Sequence, residues 1–117
     1  MKKAFTLPTC KTCQRIFDDL RPAQHGCEVV DIKAAGISAA DLDAMKAHAG
    51  SYEALFSRRA MKFRSMGLAD KALTEQDYRK LILEEYTFLK RPVFLTDEGA
   101  TAGSAKAEVA RARDLIS

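Results

Sequence analysis

The sequence predicts an α/β domain built on a mixed β-sheet. Three observations carry this expectation. Short β-type runs lie at both ends of the chain, the first part reads strand, helix, strand, and the middle is helical with no strand signal. At 117 residues the chain is expected to be one domain, since that length fills a single core and is too short for two independent ones.

The elements follow in order. KAFTL (residues 3–7) is a short β-type run ended by Pro8. From Cys10 onward the apolar positions Cys13, Ile16, Phe17 and Leu20 keep the three-and-four spacing of a helix with one buried face. Pro22 disfavours helical geometry at Arg21 and helps to stop it. CEVVDI (27–32) reads as the next strand, which completes a βαβ unit.

Ser38 and Asp41 then resemble a capping box, with Leu42, Met45 and Ala49 at helical spacing and Gly50 as the stop. A second helix is expected across YEALFSRRAMKFRSMG, ending at Gly67. A third opens at Thr74, with Asp77 three residues on, and is expected to bury Tyr78, Leu81, Ile82 and Leu89. RPVFLT (91–96) is a strand led by a proline, a short weak strand follows near 100–102, and SAKAEVARARDLI (104–116) closes the chain as a helix.

Hydrophobic residues make up 47% and charged residues 30%, an ordinary globular balance. No run approaches the roughly eighteen apolar residues of a membrane span. The start, MKKAFTLPTC, has too few apolar positions for a signal peptide, so a cytoplasmic protein is expected. A net charge of +3 is too mild to point to nucleic acid. Locally, SRRAMKFR (57–64) carries four cations and no acid, which reads first as a solvated helix face.

Cys10 and Cys13 form a Cys-x-x-Cys at the junction of a strand and a helix. Such a pair can hold a metal, carry redox chemistry or pack. A zinc site needs two further ligands, and Cys27, His25 and His48 do not offer the usual second pair, so no metal is expected. In a reducing compartment a permanent disulfide is disfavoured. The unpaired amides at a helix start, together with Lys11 and Arg15, should favour the Cys10 thiolate, which is the reactive form. Cys13, one turn on and on the apolar stripe, should stay protonated. Cys10 is therefore expected to attack and Cys13 to resolve. Cys27, His25 and His48 are expected to have no role in the chemistry.

Three stretches together, PTCKTCQ (8–14), LFSRRAMKFRSMGL (55–68) and KRPVFLT (90–96), resemble the arsenate reductase (ArsC) and Spx-like branch of the thioredoxin superfamily. The resemblance implies a thioredoxin-like fold, with residues 1–35 and 89–117 as its core and 36–88 as a helical insert between the second and third strands. It also implies that Cys10 attacks a small oxyanion such as arsenate. Arg91 would hold the oxyanion, with Pro92 in a cis peptide at the site and Arg59 as a second anion ligand. No bound cofactor is implied. Glutathione or another thiol is the co-substrate, with a glutaredoxin or thioredoxin-type protein as reductant. Two alternatives stay open: an Spx-like redox regulator that binds RNA polymerase, with 58–64 as docking face, and a general dithiol oxidoreductase.

Overall fold

The structure is a computed structural model describing residues 1–117. Four strands and six helices follow in the order β1 (Lys2–Thr6), α1 (Lys11–Leu20), β2 (Glu28–Asp31), α2 (Ile32–Ala35), α3 (Ala39–Ala49), α4 (Met61–Ser65), α5 (Glu75–Glu84), β3 (Val93–Thr96), β4 (Ala100–Ala102) and α6 (Lys106–Ile116), with short 3₁₀ turns between some of them. The chain divides into two compact units, residues 1–36 with 91–117 and residues 37–90.

The first unit is a mixed four-stranded sheet in the order β2-β1-β3-β4. β1 and β2 run parallel, with Ala4 opposite Val29, while β1–β3 and β3–β4 are antiparallel, with Ala4 opposite Phe94 and Phe94 opposite Thr101. Two antiparallel steps make β1 and β4 run the same way. α1 and α6, each following one of these strands, therefore begin at the same end of the sheet. Ile16 and Leu20 of α1 and Ala112 and Ile116 of α6 pack with Ala4, Phe94 and Cys27 as one buried cluster. The rings of Phe17 and Phe94 stand 5.6 Å apart. Phe5, Val93 and Leu95, on the alternate positions, are equally buried. Before Pro22 the chain leaves α1 through Arg21 at φ 48°, ψ 60°, whose amide donates to Phe17 O.

In the second unit both expected helix starts form. Ser38 Oγ accepts from the Asp41 amide at 3.1 Å, and Thr74 and Asp77 make a reciprocal capping box. Gly50, at φ 94°, ends α3 in the left-handed conformation that glycine adopts without strain. Tyr78 and Ile82 are buried, Leu81 only partly, and Leu89 lies beyond the helix.

The continuous helix expected over 52–67 does not form. Only a 3₁₀ turn at Glu53–Leu55 and the short α4 appear, and Phe56 between them is extended at φ −88°, ψ 130°. Phe56 bridges Leu89, with Ser57 N donating to Phe88 O at 2.7 Å and Lys90 N to Leu55 O at 2.8 Å. Its ring stacks on Phe88 and tilts against Tyr78, both at 4.9 Å. These long-range bonds and the buried rings outweigh a helix propensity that is small per residue.

Asp43 of α3 ties three parts of this unit together. It accepts from Arg79 Nε at 2.9 Å and from the Tyr52 hydroxyl. Those two partners, Arg79 first, hold its carboxyl at about 2, below its ordinary 3.8. A carboxyl depressed in the folded state contributes stability that is complete above the ordinary value and lost as pH falls through the lower one. The melting temperature should therefore fall between pH 3.8 and about 2, and Asp43→Asn should flatten part of that fall. Thermal unfolding followed by circular dichroism over this range checks it, and an unchanged slope in the variant counts against the assignment.

Candidate active site

The loop from Leu7 to Cys10 connects β1 to α1 and sets the first thiol at the helix start. Cys10 N donates to Leu7 O at 2.9 Å, and the Gln14 side chain donates to Pro8 O. Cys10 is the N-cap of α1, at φ −89°, ψ 110°, and its Sγ accepts from the Cys13 amide at 3.4 Å. A sulfur thus occupies the position where Ser, Thr or Asp usually caps a helix. The bond it accepts grows stronger when the sulfur carries charge.

Desolvation resists ionisation of Cys10. Against it stand the Cys13 amide and thiol, the charge of the Arg91 guanidinium and the Thr12 amide, and together they hold the thiol below its ordinary value. The cation weighing on this sulfur is Arg91, whereas Lys11 and Arg15, expected from the sequence to assist, stand exposed, where water and salt screen them. The Arg91–Pro92 peptide is cis. Pro92 is buried, and its carbonyl accepts from Gly103 N at 3.0 Å.

Cys13 is the opposite case. It is fully buried and its thiol is pushed up to about 11, by desolvation first and then by the adjoining Cys10 sulfur. One helical turn therefore carries an acidic, half-exposed thiol and a buried, protonated one. Sequence reasoning missed Thr6 and Leu7, whose hydroxyl and amide both favour the Cys13 thiolate. The signal available for Thr6 was the alternation along KAFTL, which puts it on the same face as Ala4.

The other candidates fall elsewhere. Cys27 packs in the core of the first unit, and burial raises its thiol above the ordinary value. His25 and His48 are exposed. Arg59 lies in the second unit, exposed, in the segment that leads into α4, while its neighbour Arg58 is held by Glu53 Oε2 at 2.7 Å and the Tyr78 hydroxyl at 2.8 Å. No group of three or more His, Cys, Asp and Glu side chains comes together to hold a metal ion. On the surface of the first unit, a groove of about 530 Å³ separates α1 from α6, with Arg15 and Lys106 on its walls and Ile16 and Val109 among its apolar lining.

Beside the capping thiol, the arginine before a cis-proline and the mixed sheet stands a match to a known family: its model, described as the ArsC family, matches residues 5–112. The chain belongs to the ArsC family. Solved structures give the same fold, which is thioredoxin-like. An arsenate reductase from Vibrio cholerae superposes with a TM-score of 0.78 at 15% identity, over 94% of this chain and 95% of that one. An ArsC-family-related protein from Bacteroides fragilis gives 0.80 at 19% identity, over 95% and 96%. An arsenate reductase (ArsC) related protein from Brucella melitensis gives 0.65 at 23% identity, over 94% and 92%. No curated protein matches the sequence closely enough to count as a relative. No helix of this ArsC-family chain is long and apolar enough to cross a membrane.

Proposed function

We propose that this ArsC-family protein is a thiol-dependent reductase of the arsenate reductase type, working in the cytoplasm, where its thiols stay reduced. The observation that carries the reading is the placement of the two thiols. Cys10 Sγ caps the start of α1 and accepts from the Cys13 amide at 3.4 Å. There the helix start and the Arg91 charge favour its thiolate, while Cys13 is fully buried, which favours its thiol. Only the thiolate is a nucleophile, so the pair has a defined order of action. Arg91 offers a planar fork that can hold two oxygens of an arsenate ion beside the attacking sulfur.

In the first step the Cys10 thiolate attacks arsenic(V). A sulfur–arsenic bond forms and one arsenate oxygen leaves as water after protonation. A second thiol then attacks the Cys10 sulfur. A disulfide forms, the electron pair of the sulfur–arsenic bond stays on arsenic, and arsenic(III) is released. The second thiol is Cys13 or glutathione, and a glutaredoxin or thioredoxin-type protein returns the disulfide to thiols. Pro92 shapes the turn that presents Arg91.

The test is arsenite formation from arsenate with glutathione and glutaredoxin, together with alkylation of Cys10 in the presence of arsenate or phosphate. Turnover, and slowing of alkylation by either anion, are expected. No arsenite and no protection overturn the oxyanion reading. Disulfide cycling without anion protection would leave a general dithiol oxidoreductase.

A further inference from the structure

Three threonines are buried: Thr6, Thr96 and Thr101. A buried hydroxyl is costly unless it is bonded. Thr96 Oγ1 accepts from the Glu98 amide at 3.0 Å and so serves a turn, and Thr101 Oγ1 has no hydrogen-bond partner. Thr6 is placed differently. It shares a face of β1 with Ala4, because residues two apart along a strand point the same way. That face is covered by α1, whose Ile16 and Leu20 pack with Ala4.

α1 turns back over its strand, so its first turn lies over the strand's end. Cys13, on the same buried stripe as Ile16 and Leu20, therefore comes over Thr6. Leu7, the next residue, already holds the Cys10 amide through its carbonyl at 2.9 Å. Thr6 is 8% exposed, Leu7 7% and Cys13 0%, so water takes little part in this contact.

We propose that Thr6, together with the Leu7 amide, forms a polar seat for the Cys13 sulfur, and that Thr6 is the positioning residue that lets Cys13 act as a thiolate once Cys10 carries an adduct; this rests on reading Cys13 as the resolving thiol. A hydroxyl suits both states of the sulfur. It accepts from the thiol and, after rotating, donates to the thiolate. While Cys10 is anionic, its charge and its hydrogen bond help to keep the proton on Cys13. When Cys10 is bonded to an adduct both influences disappear, and the Thr6 hydroxyl and Leu7 amide, which favour the thiolate, remain. The seat thus times the second thiol to follow the first.

The step can be followed with an aryl disulfide, dithiobisnitrobenzoate, in place of the natural adduct. The Cys10 thiolate attacks the probe, forms a mixed disulfide and releases one coloured aryl thiolate. Cys13 then loses its proton and attacks the Cys10 sulfur. A Cys10–Cys13 disulfide forms, the bond to the aryl sulfur breaks, and its electron pair leaves on a second aryl thiolate. Two thiols are oxidised and one disulfide is reduced. Each variant is read as the rate of its second phase relative to its own first phase, as a function of pH.

Thr6→Val keeps the shape and removes the hydroxyl. It should slow the second phase about tenfold and move its midpoint to higher pH, the size expected for losing a hydrogen bond to a charged sulfur. Thr6→Ser should restore both, and Cys13→Ser should remove the second phase. If Thr6→Val does not fold, Thr6→Ala against Thr6→Ser gives the same comparison. A wild-type ratio and midpoint in the valine or alanine variant overturn the seat alone. Absence of a second phase in the unaltered protein overturns the resolving role of Cys13 and the seat with it.

Discussion

Alanine in place of Arg91 should move the alkylation profile of Cys10 to higher pH and, on the proposed reductase function, should lower arsenate turnover on the order of a hundredfold, the usual scale for removing one donor to a developing oxyanion. The direction follows from the charge. The guanidinium favours the anionic sulfur, so its loss leaves burial opposed only by hydrogen bonds from the first turn of α1. At neutral pH less thiolate is present and iodoacetamide reacts more slowly. Above the ordinary thiol value, where both proteins are ionised, the rates converge. Arg91→Lys separates the two duties. A lysine keeps a positive charge and should retain much of the alkylation profile, but it lacks the planar fork and should lose most of the turnover. On the same proposal Cys10→Ser should remove turnover altogether. An alkylation profile that does not move in Arg91→Ala would break the link between the helix start and the cis-proline turn.

That link was only half legible in the sequence. The helix from Cys10, the caps at Ser38 and Thr74 and the stop at Gly50 are local signals, satisfied within a few residues, and each forms. The cation acting on Cys10 is not local. Lys11 and Arg15 are near in sequence but point to solvent, whereas Arg91 acts from eighty-one positions further along the chain. Spacing along one helix cannot report burial, and burial decides whether a charge is screened. Thr6 illustrates the same limit. Strand alternation gives its face, but the sulfur it meets is identified only once α1 lies over β1.

The break at Phe56 is the clearest non-local effect, and it carries the largest stability prediction. Phe56→Ala should destabilise residues 37–90 by about 3–5 kcal/mol, the range for emptying a buried phenylalanine site. The ring is 1% exposed and meets Phe88 and Tyr78 at 4.9 Å and Phe63 at 6.0 Å. Those partners come from a 3₁₀ turn, α5 and α4, so the surrounding chain cannot collapse into the space without moving several elements at once. Phe56→Leu keeps most of the volume and loses the ring contacts, and should cost roughly 1–2 kcal/mol, the scale of volume-conserving swaps and aromatic pairs. Urea unfolding of both variants measures the difference. Because Phe56 is extended and bridged to Leu89 with its ring stacked, leucine destabilises and alanine does so more. A loss below about 1 kcal/mol for alanine, less than a buried methylene or two, would refute the packing account.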